Sequence, residues 1–89
     1  MLTINPDIWE FPCQHDIKVL GLSHHPLVDI VIALVNEHVG SCDTASIRTK
    51  PSSSGKYISV TATVQFTSKE QLEALYRALH ARDEVTQTL

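Results

Sequence analysis

The chain has 89 residues, enough for one hydrophobic core and too few for two. With 43% apolar and 19% charged residues and a formal net charge of -3, it is neither a disordered polyelectrolyte nor, on average, the basic surface that a nucleic-acid backbone requires. Two cysteines, Cys13 and Cys42, make no disulfide scaffold, and the N-terminus lacks the order of a signal peptide. The most apolar stretch, Leu27 to Val35, falls well short of the roughly 20 residues a membrane helix needs, so a cytoplasmic protein without a membrane span is expected.

Residues 1–13 mix Asn, Pro and a few large apolar groups without a sustained period and read as an irregular arm, with Ile8, Trp9 and Phe11 docking on the core. Residues 14–89 then form a single domain. His15 to Leu22 is rich in β-branched and aliphatic residues and predicts a first strand with Ile17 and Val19 facing inward. Pro26 suits the first position of a helix, where its missing donor is not needed, and Asp29 falls in the first turn. Val28, Val31, Ile32 and Val35, widened by Leu27 and Leu34, give the apolar stripe of that helix, and Gly40 stops it.

Thr44 to Lys50 predicts a second strand, closed by the Pro-Ser-Ser-Ser-Gly turn of a hairpin. The third strand has the clearest pattern: Ile58, Val60, Ala62, Val64 and Phe66 alternate with Tyr57, Ser59, Thr61, Thr63 and Gln65, which assigns one buried and one polar face. Ser68 and Gln71 form a capping box ahead of a second helix whose stripe is Leu72, Leu75, Tyr76 and Leu79, ending near Ala81. Glu84 to Leu89, with Val85 and Leu89 in phase, supplies a short last strand. The order predicts an α+β fold, a ferredoxin-like βαββαβ two-layer sandwich in which two helices cover one face of an antiparallel four-stranded sheet.

Phe11-Pro12, the strand Lys18-Val19-Leu20-Gly21, and Pro26 followed by Leu27-Val28-Asp29 form one set of distinctive residues. To these add Lys50-Pro51-Ser52-Ser53 with Gly55, Tyr57, Ser59-Val60, Leu75-Tyr76 with Leu79, and the closing Val85 to Leu89. In these residues the chain resembles the YbeD-type family of small bacterial proteins, a domain of unknown function with an ACT-like regulatory fold. The resemblance implies a fold similar to the ligand-sensing modules of metabolic enzymes and a regulatory role loosely linked to lipoate metabolism. It supplies no catalytic residues, and His24-His25 and Cys42 depart from its pattern.

Among candidate sites, Arg48, Lys50, Ser52, Ser53, Ser54, Gly55 and Lys56 could hold an anion through backbone donors, hydroxyls and cationic heads. Gly55-Lys56 is not a P-loop, since neither the preceding glycine nor the following Ser or Thr of that motif is present, and a solvated turn is the simpler reading. Cys13, His15, His24, His25 and His38 lack the spacing of a tetrahedral metal set, so no metal and no cofactor are expected. No catalytic nucleophile is assigned: no base and carboxylate accompany Cys13 in a recognisable signature. Acylphosphatases share the topology but use an arginine after the first strand, where this chain has Leu22-Ser23-His24-His25. RNA-recognition modules share it too, but need aromatic rings on the central strands, and on the outward face of the third strand Tyr57 is the only one. The residues thus point to a non-enzymatic regulatory or adaptor domain. It would bind a small-molecule ligand or a protein partner through its sheet edges or polar sheet face, with homodimerisation through an edge and nucleic acid set aside. The alternative is a minor enzyme or anion-binding protein using the basic hairpin.

Overall fold

The computed structural model describes residues 10–88. The elements run in the expected order: β1 (Cys13–Leu22), α1 (Leu27–His38), β2 (Arg48–Pro51), β3 (Tyr57–Phe66), α2 (Lys69–His80) and β4 (Gln87–Thr88). The four strands pair antiparallel in the order β2-β3-β1-β4, with both helices packed on one face.

β1 and β3 make the centre of the sheet because their alternation is strict. Ile17 and Val19 on β1, and Val60, Ala62, Val64 and Phe66 on β3, are buried beneath the helices. β1 starts at Cys13, two residues before the expected start, because the ten residues of β3 continue the ladder that far: Cys13 pairs with Phe66 and His15 with Val64. Phe11 packs partly buried against the core, whereas Ile8 and Trp9 lie outside the described residues.

Pro26 stands at the N-cap of α1, one position earlier than expected, and Asp29 is in the first turn. The buried stripe is Leu27, Ile30, Val31, Leu34 and Val35, rotated from the expected one, so that Val28 and Ile32 are only half-buried. Every residue from Leu27 to Val35 except Asp29 is apolar, and periodicity alone therefore allows several stripes. The face that meets the sheet lies opposite Asp29, Ala33 and Asn36, all of which are exposed.

The segment from Thr44 corrects the expected second strand. Asp43 accepts from the Ala45 N–H at 3.1 Å, and the Ser46 hydroxyl donates to the Asp43 carbonyl at 2.6 Å, so that Thr44–Ser46 close into a 3-10 turn. Local side-chain bonding of this kind competes with strand pairing. β2 begins only at Arg48, although the Ser46 hydroxyl still accepts from the Thr63 N–H at 3.1 Å, standing in for its own backbone at that rung.

The capping box of α2 forms as expected. The Gln71 N–H donates to Ser68 Oγ at 3.2 Å, while Gln71 Oε1 accepts from Thr67, the residue before the cap, at 2.9 Å. Leu72, Leu75, Tyr76 and Leu79 complete the core. β4 begins later than expected and, among the described residues, pairs Gln87 and Thr88 with Leu20 and Val19. Val85 packs partly buried beside it, and Leu89 lies outside the described residues.

One glycine joins these parts. Gly21 ends the inner face of β1, and a methyl group there would stand 2.7 Å from Leu27 Cδ1 and press into the Glu84 carbonyl. The start of α1 and the turn ahead of β4 therefore close over a backbone that carries no side chain.

Candidate functional site

The helices cover one face of the sheet, and the register determines what the other presents. Side chains on paired residues share a face, so those opposite the core residues form rows across the strands. Lys18, Thr61 and Arg48 make one row. Gln87, Leu20, Ser59 and Lys50 make the next, and Leu22 with Tyr57 a third. Leu20, Leu22 and Tyr57 are half-buried and form a small apolar centre, while Lys18, next to Leu20 along β1, and Lys50, across Ser59 on β2, stand exposed beside it. Ser59, under this centre, is only 8% exposed, and its hydroxyl donates to the Lys50 carbonyl at 3.3 Å.

The predicted anion cluster is divided by the fold. Arg48 lies on the open sheet face, 3.1 Å from the Asp16 carboxylate. The Thr63 hydroxyl donates to the same carboxylate at 2.6 Å, and this bond, followed by the Arg48 contact, lowers the pKa of Asp16. Lys50 is also on the open face. Ser52, Ser53, Ser54, Gly55 and Lys56 make the turn, in which Gly55 adopts a φ of +76°.

Most of the turn's donors are used internally. Gly55 N–H donates to the Ser52 carbonyl at 2.9 Å, Tyr57 N–H to Ser52 Oγ at 3.1 Å, and Lys56 N–H to Ser54 Oγ at 3.3 Å. The loop after β1 is fastened to the same turn, with the Ser23 hydroxyl donating to the Gly55 carbonyl at 2.7 Å and its N–H to the Lys56 carbonyl at 2.9 Å. Lys56 itself turns back over Tyr57, its Nζ 5.5 Å from the ring centroid. Two of the cluster's three cationic residues, Lys50 and Lys56, thus join the Leu20, Leu22 and Tyr57 surface.

Both edges of the sheet are short. Because Ser52 N–H donates to the Tyr57 carbonyl, antiparallel alternation directs the backbone of Lys50 and Arg48 toward β3 and that of Thr49 and Pro51 outward. Pro51 has no N–H to offer at this edge, which leaves β2 a poor template for another strand.

The remaining chemistry-bearing groups lie elsewhere. His15 is half-buried on the inner side of β1 with Nε2 3.5 Å from the Tyr76 hydroxyl, and burial lowers its pKa; burial raises that of Tyr76. His80 Nε2 lies 2.7 Å from Thr88 Oγ1 and ties β4 to α2. His24 and His25 lie with ring centroids 4.1 Å apart, His25 near Glu84. The pKa of Glu84 is lowered first by a bond from its own backbone N–H and then by Arg82 at 3.1 Å. Burial, with Asp43 adding to it, raises the pKa of Cys42. Among the described residues no three His, Cys, Asp or Glu side chains converge as a metal site would require.

Sequence reasoning left Lys18, Leu20 and Leu22 out of the candidate site. The signal was present in the alternation of β1, since positions 20 and 22 fall out of phase with Ile17 and Val19 and so face away from the core.

Against known proteins, residues 6–89 match the family described as Protein of unknown function (DUF493). A UPF0250 protein of Paraburkholderia phytofirmans is 39% identical over 79 residues, spanning 89% of each chain. A UPF0250 protein of Janthinobacterium sp. is 42% identical over 80 residues, covering 90% of this chain and 88% of that one. The solution structure of protein HP0495 from H. pylori matches at a TM-score of 0.69 over 100% of this chain and 98% of that chain; at 14% identity this is a likeness of fold alone. Family model and relatives agree over most of the length, and the chain belongs to the DUF493 family, in line with its resemblance to the YbeD type.

Proposed function

We propose that this chain is a non-enzymatic regulatory or adaptor domain that binds a small metabolite or a protein partner on the open face of its sheet. The observation that carries the reading is the register, which groups Leu20, Leu22 and Tyr57 on the side away from the helices and sets Lys18 and Lys50 beside them. An apolar centre inside a charged rim is the usual anatomy of a recognition surface. The short edges, one of them carrying Pro51, favour the face over strand addition and over an edge-paired homodimer. The hairpin contributes Lys50 and Lys56 to this face; as a separate anion cradle it is weakened by the internal bonds of Gly55, Lys56 and Tyr57. We place the activity in the cytoplasm, in keeping with free thiols at Cys13 and Cys42.

The test is a photo-crosslinking amino acid introduced singly at Leu22, Thr61, Asn36 or Arg77 in living cells. Adducts from the first two positions, on the sheet, and none from the last two, on the helices, are expected. Adducts concentrated on the helix positions would overturn the reading.

A further inference from the structure

We infer that the open sheet face docks an acidic protein segment in which a large apolar side chain is flanked by carboxylates, an inference that rests on the reading of this face as the binding surface. The first support is charge. Lys18, Arg48 and Lys50 project from the face, and the Lys56 ammonium is held over it by Tyr57, against one carboxylate among the described residues, that of Asp16, which Arg48 already engages. The described residues include nine acidic and seven basic side chains, so eight acidic and three basic ones lie elsewhere. A chain of net charge -3 has therefore gathered a cationic surface on one side of its sheet.

That separation selects among occupants. A second copy packed face to face would set lysine rows against lysine rows, with like charges opposed across a desolvated contact. A nucleic-acid strand would satisfy the cations but has no use for Leu20 and Leu22, and among the described residues the one aromatic ring on this face, Tyr57, already lies under Lys56. A carboxylate-rich segment with an apolar side chain matches both features at once.

Geometry gives the spacing. Lys18 and Lys50 stand on strands separated by β3 and are offset by one row, which places their Cα atoms about 12 Å apart from ordinary strand spacing and rise. The line between them crosses β3 between Thr61 and Ser59, with Leu20 beside it on β1. An extended segment spans that distance in about four residues, with the side chain halfway between pointing to the same side. Carboxylates would then meet Lys18 and Lys50 while the intervening apolar group settles against Leu20.

The experiment titrates the isotopically labelled full chain with a synthetic peptide repeating Glu-Ser-Leu-Ser and follows backbone amide shifts. Matched peptides replace every Glu by Lys, or every Leu by Ser; inorganic phosphate and single-stranded RNA are titrated separately. Shifts at Lys18, Leu20, Leu22, Lys50, Tyr57 and Thr61 are expected with the first peptide, weakened by added salt and by either replacement. Reversing both lysines (Lys18→Glu with Lys50→Glu) should weaken binding about tenfold or more, the scale of two exposed ion pairs lost and reversed. Leu20→Ser should weaken it without changing the salt dependence, and a thermal melt of each variant confirms folding. The inference is overturned by no shift at the highest soluble peptide concentration, by equal binding of the Lys peptide, or by binding of RNA or phosphate in place of the peptide. Concentration-dependent self-association mapped to the same face also overturns it. If cellular crosslinks fall on Leu22 and Thr61 but the peptide fails, only the acidic partner is wrong; if they fall on Asn36 and Arg77, the face itself is wrong.

Discussion

Gly21→Ala adds one methyl group where three segments meet. The new carbon would stand 2.7 Å from Leu27 Cδ1 and 3.2 Å from Cδ2, and it would overlap the Glu84 carbonyl oxygen. Leu27, 2% exposed at the first position of α1, has little room to rotate, and Glu84 meets the methyl with its backbone. Relief therefore requires the turn ahead of β4 to move, and with it the bond from Thr86 N–H to the Leu20 carbonyl, now 2.8 Å. Overpacking of a well-filled core costs about 1–3 kcal/mol, and involvement of backbone argues for the upper half of that range. For a domain of this size the melting temperature should fall by roughly 10–20 °C. Gly55→Ala is the comparison: its φ of +76° strains an alanine, yet nothing lies within 4 Å of the added methyl, so a loss of about 1–2 kcal/mol is expected. Thermal and urea melts followed by circular dichroism, with hydrogen exchange at Thr86, measure both. A Gly21→Ala protein that melts within a few degrees of the parent, or one no less stable than Gly55→Ala, would refute the packing described.

Ser68→Ala removes the acceptor for the Gln71 N–H and should cost about 1 kcal/mol in a denaturant melt. Leu72→Ala empties a fully buried site and should cost about 2–5 kcal/mol, whereas Leu20→Ala on the open face should cost about 1 kcal/mol or less in the same assay. His15, whose folded pKa lies below the unfolded value, is protonated first in the unfolded chain as pH falls; stability should therefore decline from pH 7 toward about 5, and His15→Gln should flatten that decline in pH-dependent melts. Asp16, with its pKa lowered by Thr63 and Arg48, contributes stability above the ordinary aspartate pKa that is lost as pH falls through its folded pKa. Asp16→Asn should remove that acid-side loss in the same melts.

The elements legible in the sequence are those in which a local rule and the tertiary packing agree. β3 alternates because one side is covered and the other open, and Ser68 with Gln71 announces α2 because a cap is satisfied within its own turn. α1 was legible as a helix but not in its orientation, since nearly every residue from Leu27 to Val35 is apolar and only contact with the sheet selects the face. Thr44 to Ser46 has strand-forming neighbours, yet Asp43 and Ser46 bond locally and bend it away. β4 has two residues, too few to carry a period. The hairpin residues stood out by composition, but their combination with Lys18, Leu20 and Leu22 depends on a register across three strands, which linear spacing does not contain.

The open face as the surface of recognition is tested most directly by lysine footprinting of the intact protein. An acylating reagent is applied to living cells and, separately, to the purified chain, and the extent of modification is compared at each lysine. Lys18 and Lys50 should be protected in the cell relative to the purified protein, while Lys69, on α2, reacts equally in both. Equal modification of Lys18 and Lys50 in cells and in isolation would contradict the account.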